Sequence, residues 1–199
     1  SKINPVPLKR LGAGYHSLDT GTKLASATGI RTAMANKDNI SGLLPDNCLN
    51  IIKNHTTIEY NDFSTVLGSK LLSMDTLDHI EGINQDLSNR IANNKYNFTD
   101  IETFIPMLQS KNYTYSAISR ALLHIILDIK TDDIKEFVNN NYAMILGFTK
   151  KSGVLSEISK STKIPLVSKF ATFYKEADNN QRKMLDINLK ADNLYRMIY

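Results

Sequence analysis

The sequence predicts a mainly α fold, with a multi-helix domain over residues 42–199 and at most one or two short strands. Apolar residues recur at helical spacing through most of the chain after residue 60. Alternating strand patterns are few. The hydrophobic fraction of 42% and the charged fraction of 22% are typical of a globular protein, and 199 residues are enough to bury a core.

Four stretches carry the clearest helical patterns: DFSTVLGSKLLS, DTLDHIEGINQDLSNRIA, SAISRALLHIILDI and NQRKMLDINLKADNLYRMIY. Each has an apolar stripe that we expect to face the core. In chain order, the predicted inward positions are Phe63, Val66, Leu67, Leu71, Leu77, Ile80, Ile83, Leu87, Ile91, Ile118, Ala121, Leu122, Ile125, Ile129, Met184, Ile187, Leu194 and Ile198.

Caps and breakers predict where the remaining elements begin and end. Thr99 and Glu102 stand at capping-box spacing in TDIETFIPMLQS, and Pro106 should kink or end that helix. Thr131 is the predicted cap of TDDIKEFVNNNY, whose first turn holds two aspartates. IPLVSKF is the best strand candidate and VPLKRL the second, and two such pieces can pair.

The positive charge of the chain is concentrated in two segments. Residues 1–37 contain six cations against Asp19, and residues 149–175 contain six lysines against Glu157, a net charge of +5 each. The whole chain is only +4, so the remainder is acidic. This distribution indicates contact with polyanions, a nucleotide phosphate for the first segment and RNA for the second. Solvated lysines on helix faces are the open alternative for the second segment.

Membrane and disulfide-rich classes do not fit the sequence. The longest apolar run, ALLHIILDI, is interrupted by His124 and Asp128 and is too short to cross a bilayer. Cys48 is the one cysteine, so an internal disulfide is excluded, and the first ten residues lack an apolar signal core. A cytoplasmic location with no membrane partner is therefore expected.

The stretch SATGIR has the residue types of a phosphate site. Ser26 and Thr28 offer hydroxyls two positions apart, and Arg31 follows three residues later, at a predicted helix start. Hydroxyls and backbone N–H groups at a helix N-terminus bind anions, and an arginine one turn on can hold a second oxygen. A capping sequence without any ligand has the same spacing, and that interpretation stays open.

Read together, these motifs resemble a known family. SATGIR is similar to the SxTxxR signature of the nucleotidyltransferase superfamily, and LKRLGAGYH followed by ASATGIR resembles the bacterial tRNA(Met) cytidine acetate ligases. The segments EGINQDLSNRI, SKNYTYSAISRALLHIILDI, ILGFTKKSGVLSEI, KIPLVSK and ADNLY look like further landmarks of that family, in the same order. The resemblance covers essentially the whole chain.

The resemblance implies an ATP-dependent ligase. Members activate acetate as acetyl-adenylate and then acetylate the wobble cytidine of elongator tRNA(Met), so the implied partners are that tRNA, ATP as its Mg complex, and acetate. By similarity, the expected ATP contacts are Arg10, Gly12, Gly14, His16, Ser26, Thr28 and Arg31. The two glycines would let the backbone approach the ligand. His16 either faces the nucleotide or holds the loop, and both interpretations stay open.

One departure from the superfamily pattern concerns its catalytic histidines. The HxGH motif does not occur, because His16, His55, His79 and His124 are isolated from one another. We therefore expect this chain to be the C-terminal half of a longer enzyme. Residues 1–41 would be a short remnant of its α/β nucleotidyltransferase domain, the end of the nucleotide-binding catalytic domain. The chain would then hold no complete catalytic set and have no activity alone. The alternative is a non-catalytic helical interaction module with an ordered N-terminal arm.

The helical domain, residues 42–199, is the expected tRNA-binding part. KNYTYSAISR joins a basic residue and aromatic rings to a helix start, where a phosphate and a stacked base both find partners. The candidates are Lys111, Tyr113, Arg120, His124, Lys150, Lys151, Lys160 and Lys163. Packing of Tyr113 and Tyr115 between helices, with Arg120 paired to a carboxylate, is an equally open interpretation.

No protein-bound metal is expected. Asp132 and Asp133 suit the first turn of a helix, where the dipole favours acids, better than a metal site. His79 has acidic neighbours but no second imidazole at ligand spacing.

Overall fold

The structure is a computed structural model that describes residues 5–9, 18, 25–55, 57–137, 141–148 and 153–199. The chain divides into two compact units, Ser1–Thr57 and Ile58–Tyr199. By packing, residues 42–57 belong to the first unit, whereas the boundary between residues 41 and 42, drawn from the motifs, remains a prediction about function.

The first unit contains two described helices, α1 (Ala27–Ala35) and α2 (Asp46–Lys53). A Schellman-type arrangement ends α1. The N–H groups of Lys37 and Asp38 donate to the carbonyls of Met34 and Ala33, at 3.0 and 2.8 Å. Lys37 takes the left-handed conformation, φ 61°, that such an end requires and that glycine usually supplies.

The second unit is built mostly from helices. Its helices are α3 (Ser64–Ser73), α4 (Gln85–Asn94), α5 (Ile101–Leu108), α6 (Tyr115–Leu127), α7 (Thr131–Phe137), α8 (Val154–Ser161), α9 (Phe170–Glu176) and α10 (Asn179–Ile198), and 3₁₀ turns occupy Tyr60–Phe63 and Lys95–Asn97. Together with two short strands described below, these elements confirm the mainly α prediction. No helix in the described ranges is long and apolar enough to cross a membrane.

One hydrophobic core lies among α3, α4, α5 and α6. Phe104, Ile105 and Leu108 on α5 and Ile118, Leu122 and Ile125 on α6 are fully buried, and the Phe98 ring meets Phe104 edge-on at 5.1 Å. Aliphatic side chains of this size each contribute about 1.5–3 kcal/mol on burial. Most predicted core positions are buried: Leu67, Leu71, Leu77, Ile80, Ile83, Leu87, Ile91, Ile118, Ala121, Leu122 and Ile125.

The stretch over residues 75–84 is not the helix that its apolar spacing predicts. Leu77, Ile80 and Ile83 are buried, yet they lie in turns that precede α4. Gly82 has φ 80°, which a right-handed helix does not allow, and the Glu81 N–H donates to the Ile129 carbonyl at 2.9 Å. Tertiary pairing with the residues after α6 therefore replaces helical hydrogen bonds here.

Two predicted helix starts are displaced by one residue. The cap of α5 is Asp100 rather than Thr99, because the Asp100 carboxylate accepts from the Thr103 N–H at 2.9 Å. Thr131 is the first residue of α7 rather than its cap, and the Lys130 N–H donates to the Asp133 carboxylate at 3.2 Å. Pro106 lies inside α5, which ends at Leu108, within one turn.

The two strands are β1 (Ala143–Met144) and β2 (Leu166–Val167), and they pair in parallel. β2 lies in IPLVSKF, as predicted. Its partner is β1 and not VPLKRL, whose described residues 6–9 form no strand. Two parallel strands need a crossover connection, and α8 lies within the connection from β1 to β2.

The long helix α10 is amphipathic, as predicted, but its most buried residue is Leu185. The predicted inward residues Met184, Ile187, Leu194 and Ile198 are only half-buried. Asp178 and Gln181 form a capping box at its start, which fixes where this helix begins.

Candidate functional site

The N-terminus of α1 is the candidate phosphate site. Ser26 is the N-cap residue, with extended φ −73° and ψ 153°, and its Oγ accepts a hydrogen bond from the Gly29 N–H at 2.9 Å. Its side chain is fully buried. A helix cap is thus the role that the structure shows for Ser26, and a contact to phosphate stays a prediction.

Thr28 and Arg31 lie three residues apart on α1 and therefore share a face of the helix. Thr28 is half-buried and Arg31 is exposed. The positive end of the helix dipole, the first N–H groups of α1 and the Arg31 guanidinium all contribute positive potential, so this face can attract an anion. The other predicted ATP contacts, Arg10, Gly12, Gly14 and His16, lie outside the described residues.

A separate pocket of about 350 Å³ lies in the same unit, towards the C-terminal end of α1. Its lining includes Met34, Asp38, Ile40, Leu49 and Ile52. Because neither Ser26 nor Thr28 nor Arg31 lines it, this pocket is distinct from the candidate phosphate site.

In the second unit, a tight turn joins α5 to α6 and presents the first RNA candidates. Ser110 and Tyr113 pair across the turn, the Tyr113 N–H donating to the Ser110 carbonyl at 3.2 Å, and Lys111 is exposed at its corner. Thr114 then caps α6 by accepting from the Ala117 N–H at 3.3 Å. Lys111 and the positive end of α6 therefore lie together in sequence and space.

Tyr113 is held in place rather than fully exposed. It packs against the hydrophobic core, and its hydroxyl donates to the Asn84 Oδ1 at 2.6 Å. The Arg90 guanidinium carbon lies 6.0 Å from the centre of the Tyr113 ring. Packing between helices, one of the two interpretations from sequence, is thus what the structure shows for Tyr113. Arg90 is a cation at this surface that sequence reasoning missed.

The remaining candidates on α6 differ in exposure. Arg120 is exposed and, within the described ranges, has no ion-pair partner. Tyr115 is 44% exposed, and its partial burial, with Glu102 and Tyr60 nearby, raises the pKa of its hydroxyl above the ordinary value. Pairing of Arg120 with a carboxylate, one of the two open interpretations, is thus not seen among the described residues, and its exposed guanidinium is accessible to an anion.

His124 is placed differently from Arg120, although the two are four residues apart on α6. The His124 ring is half-buried, and its Nδ1 lies 2.7 Å from the Glu81 carbonyl oxygen. This contact ties α6 to the turn at Gly82. The geometry supports a packing role for His124, and its contact with tRNA stays a prediction.

The second lysine surface is only partly described. Lys160 and Lys163 are exposed, at the end of α8 and in the segment before β2. Lys150 and Lys151 lie outside the described residues. The structure therefore shows accessible cations here without testing whether they bind RNA.

The acidic residues of α7 are engaged with cations. Asp132 accepts from Lys135 at 2.9 Å, and Asp133 lies 3.9 Å from the Lys183 amine. Lys135 lowers the pKa of the Asp132 carboxyl, first by the hydrogen bond and then by its charge. Among the described residues, no three His, Cys, Asp or Glu side chains cluster as metal ligands.

Residues 1–199 match the protein family described as HIGH Nucleotidyl Transferase. The tRNA(Met) cytidine acetate ligases of Thermoanaerobacter sp. (strain X514) and Caldanaerobacter subterraneus subsp. tengcongensis are 30% and 32% identical to this chain over 207 residues. Each alignment covers 100% of this chain and 51% of the relative. The chain therefore spans about half the length of the curated relatives it matches.

Two solved structures share the fold. The apo crystal structure of Thermotoga maritima TmcAL has a TM-score of 0.84 and 23% identity, covering 96% of this chain and 50% of that one. The structure of the same protein bound with alpha-thio ATP has a TM-score of 0.79 and 23% identity, over 89% of this chain and 48% of that one. The solved structures thus share the fold, and the family model together with the curated relatives confirms the resemblance seen in the sequence.

Proposed function

We infer that this chain, which belongs to the HIGH nucleotidyl transferase family, forms the C-terminal part of an ATP-dependent tRNA(Met) cytidine acetate ligase. The observation that carries the inference is its match, over its whole length, to relatives with that name. The match extends through the helical unit as well as the SATGIR segment, so it does not rest on one short motif.

The proposed reaction has two steps. An acetate oxygen attacks the α-phosphorus of ATP, the bond to the β-phosphate oxygen breaks, and pyrophosphate leaves with acetyl-adenylate formed. The exocyclic amine of the wobble cytidine then attacks the acetyl carbonyl carbon, AMP leaves, and the amine loses a proton. Neither step needs a covalent bond to the protein, so catalysis depends on positioning and on neutralising charge.

The proposed part of α1 in this reaction is to hold phosphate. Ser26 caps the helix by accepting a hydrogen bond from the Gly29 N–H, and the proposed contacts to the anion are Thr28 in the first turn and Arg31 at the start of the second. Arg31 supplies a positive charge, and its planar guanidinium can bind two phosphate oxygens. Arg10, Gly12, Gly14 and His16 complete the proposed set by resemblance to the family.

The proposed part of the helical unit is to bind elongator tRNA(Met). Lys111 is exposed in the turn that precedes α6, and Arg120 is exposed on α6 itself. Tyr113, between them in sequence, is held by its hydrogen bond to Asn84. Within the +5 segment, the further proposed tRNA contacts are Lys150, Lys151, Lys160 and Lys163. Phosphate contacts of this kind supply most of the non-specific affinity for nucleic acid.

Acetate-dependent exchange between pyrophosphate and ATP tests the proposal in the longer protein that contains this chain. Exchange that requires acetate, and that proceeds without tRNA, is the expected result, because activation precedes transfer. A protein that binds tRNA without any such exchange would instead be a helical binding module, and the ligase assignment would be wrong.

A further inference from the structure

The surface at the α5–α6 turn contains an arginine whose orientation is already fixed. Arg90, on α4, donates from Nε to the Asp86 carboxylate at 3.3 Å, one turn earlier on the same helix. Its guanidinium also lies over the Tyr113 ring, 6.0 Å from the ring centre. Two contacts from different elements therefore restrain a side chain that would otherwise sample many rotamers.

The ring beneath Arg90 is itself immobilised. The Tyr113 hydroxyl donates to Asn84 Oδ1, and the same amide oxygen accepts from the Leu87 N–H at 3.0 Å to cap α4. Tyr113 also closes the turn that begins at Ser110. Because Asn84 caps the helix that carries Arg90, the Tyr113 ring and the Arg90 guanidinium are held close to each other.

Among the described residues, the Nε edge is the one part of the Arg90 guanidinium that makes a hydrogen bond. In the ranges that the structure describes, neither Nη group has a hydrogen-bond acceptor, and the side chain is 37% exposed. The four N–H bonds of the two Nη groups are therefore available to a ligand. A restrained guanidinium with its outer edge open has the geometry that binds two oxygens of one phosphate.

The surroundings of Arg90 favour a polyanion over a single small anion. Lys111 is exposed at the corner of the turn that ends in Tyr113, and the positive end of α6 follows directly. The Asp86 carboxylate repels an anion, but it accepts a hydrogen bond from Arg90 Nε, and this ion pair offsets its charge. A chain of phosphates can contact Arg90, Lys111 and the α6 terminus at once, which one phosphate cannot.

We propose that Arg90 binds a backbone phosphate of RNA through its two Nη groups, with Asp86 and Tyr113 as the residues that position it. The inference rests on the proposed tRNA-binding function and adds to it a phosphate contact on α4, outside the segments with the lysine clusters. Arg90 is a binding residue and takes no part in acetate activation.

Binding of tRNA(Met) to the longer protein across a salt series tests the proposal. Arg90→Ala should weaken affinity about ten- to one-hundredfold, the loss typical of one charge-assisted hydrogen-bonded contact, and should reduce the slope of log K against log salt by about one. Arg90→Lys should restore the slope and only part of the affinity, because an ammonium cannot make the two-oxygen contact. Acetate-dependent pyrophosphate exchange without tRNA should be unchanged in both.

Lys135→Ala is the matched control, because Lys135 is an exposed cation of the same unit, ion-paired along a helix, with no aromatic ring beneath it among its described contacts. It should alter neither affinity nor slope. If the wild type binds tRNA(Met) but Arg90→Ala and Lys135→Ala have the same affinity and salt slope, the inference is wrong and the proposed function still stands. Full affinity in Arg90→Lys would overturn the inference in the same way. If neither the wild type nor the double variant Lys160→Ala/Lys163→Ala binds tRNA(Met), the proposed function itself is wrong.

Discussion

At the scale of single residues, Arg31 is the side chain on which the ATP proposal depends most. It is exposed on α1 and is not part of the buried core, so its removal should spare the fold. In the longer protein, Arg31→Ala should lower kcat/KM for ATP. The decrease should correspond to a loss of about 2–4 kcal/mol of transition-state stabilisation, as expected for one preorganised charge contact. Steady-state pyrophosphate exchange measures this loss.

Lys37→Asn is the control for Arg31→Ala. It removes a cation beyond the other end of α1, and asparagine tolerates the left-handed conformation at this position. Its kcat/KM should stay near that of the wild type. Equal losses in both variants, or an Arg31→Ala protein that unfolds while its folded fraction keeps normal specific activity, would assign Arg31 a structural role.

Asp100 makes the acid stability of the helical unit predictable. The Thr103 N–H, then the Thr103 hydroxyl, lowers the pKa of this carboxyl below its ordinary value. Because the folded pKa is the lower one, the ionised cap adds stability above about pH 3.9, and that stability is lost as the pH falls through the folded pKa. Asp100→Asn keeps an acceptor for Thr103 but removes the titration.

Denaturant midpoints measured from about pH 5 down to about pH 2.5 should therefore fall less steeply for Asp100→Asn than for the wild type. Asp192→Asn, at an exposed aspartate on α10, should follow the wild type. Parallel curves for Asp100→Asn and the wild type would show that the cap does not titrate in this range.

Sequence reasoning singled out Arg31 as a candidate phosphate contact but did not single out Arg90, and the reason for this difference is physical. Ser26, Thr28 and Arg31 lie within six residues, so their spacing is visible in the chain. Arg90 acquires its orientation from Tyr113, which follows 23 positions later and reaches it only because α5 and the turn at Ser110 bring it back. A long-range contact of this kind leaves no local spacing to recognise.

At the scale of elements, Asn84 joins the start of α4 to the α5–α6 turn. Its Oδ1 accepts from both the Leu87 N–H and the Tyr113 hydroxyl. Asn84→Ala should therefore lower the free energy of unfolding by about 1–2 kcal/mol, within the range for a lost N-cap. Asn84→Asp should recover most of this, because a carboxylate accepts both bonds.

Chemical denaturation measures the change, with Asn93→Ala, at an exposed residue inside the same helix, as the control. That variant should stay within about 0.5 kcal/mol of the wild type. An Asn84→Ala protein as stable as Asn93→Ala would mean that water replaces both hydrogen bonds at no cost.

The elements show where sequence patterns succeed and where they fail. Apolar spacing correctly predicted burial at Leu77, Ile80 and Ile83, since hydrophobic side chains enter the core whatever the backbone does. It wrongly predicted a helix there, because Gly82 and the bond from Glu81 to Ile129 hold the chain in turns. The one-residue displacement at Asp100 arises because an aspartate and a threonine at adjacent positions are both good caps.

At the scale of the whole molecule, the helical class was predictable and the strand pairing was not. A long helix such as α6 can be predicted from sequence because its apolar residues recur at helical spacing. A strand of two residues, such as Ala143–Met144, has too few positions to show any period, and only its bonds to Pro165 and Val167 define it. Those bonds span more than twenty residues of chain.

The proposed enzyme transfers an acetyl group from acetate to tRNA, and incorporation of labelled acetate into elongator tRNA(Met) detects that transfer. The measurement compares the longer protein with residues 1–199 alone. ATP-dependent label at the wobble cytidine is expected with the longer protein and none with residues 1–199, because this chain contains no HxGH motif to help position the α-phosphate. Absence of label with the longer protein, or label formed by residues 1–199 alone, would show that the proposed function is wrong.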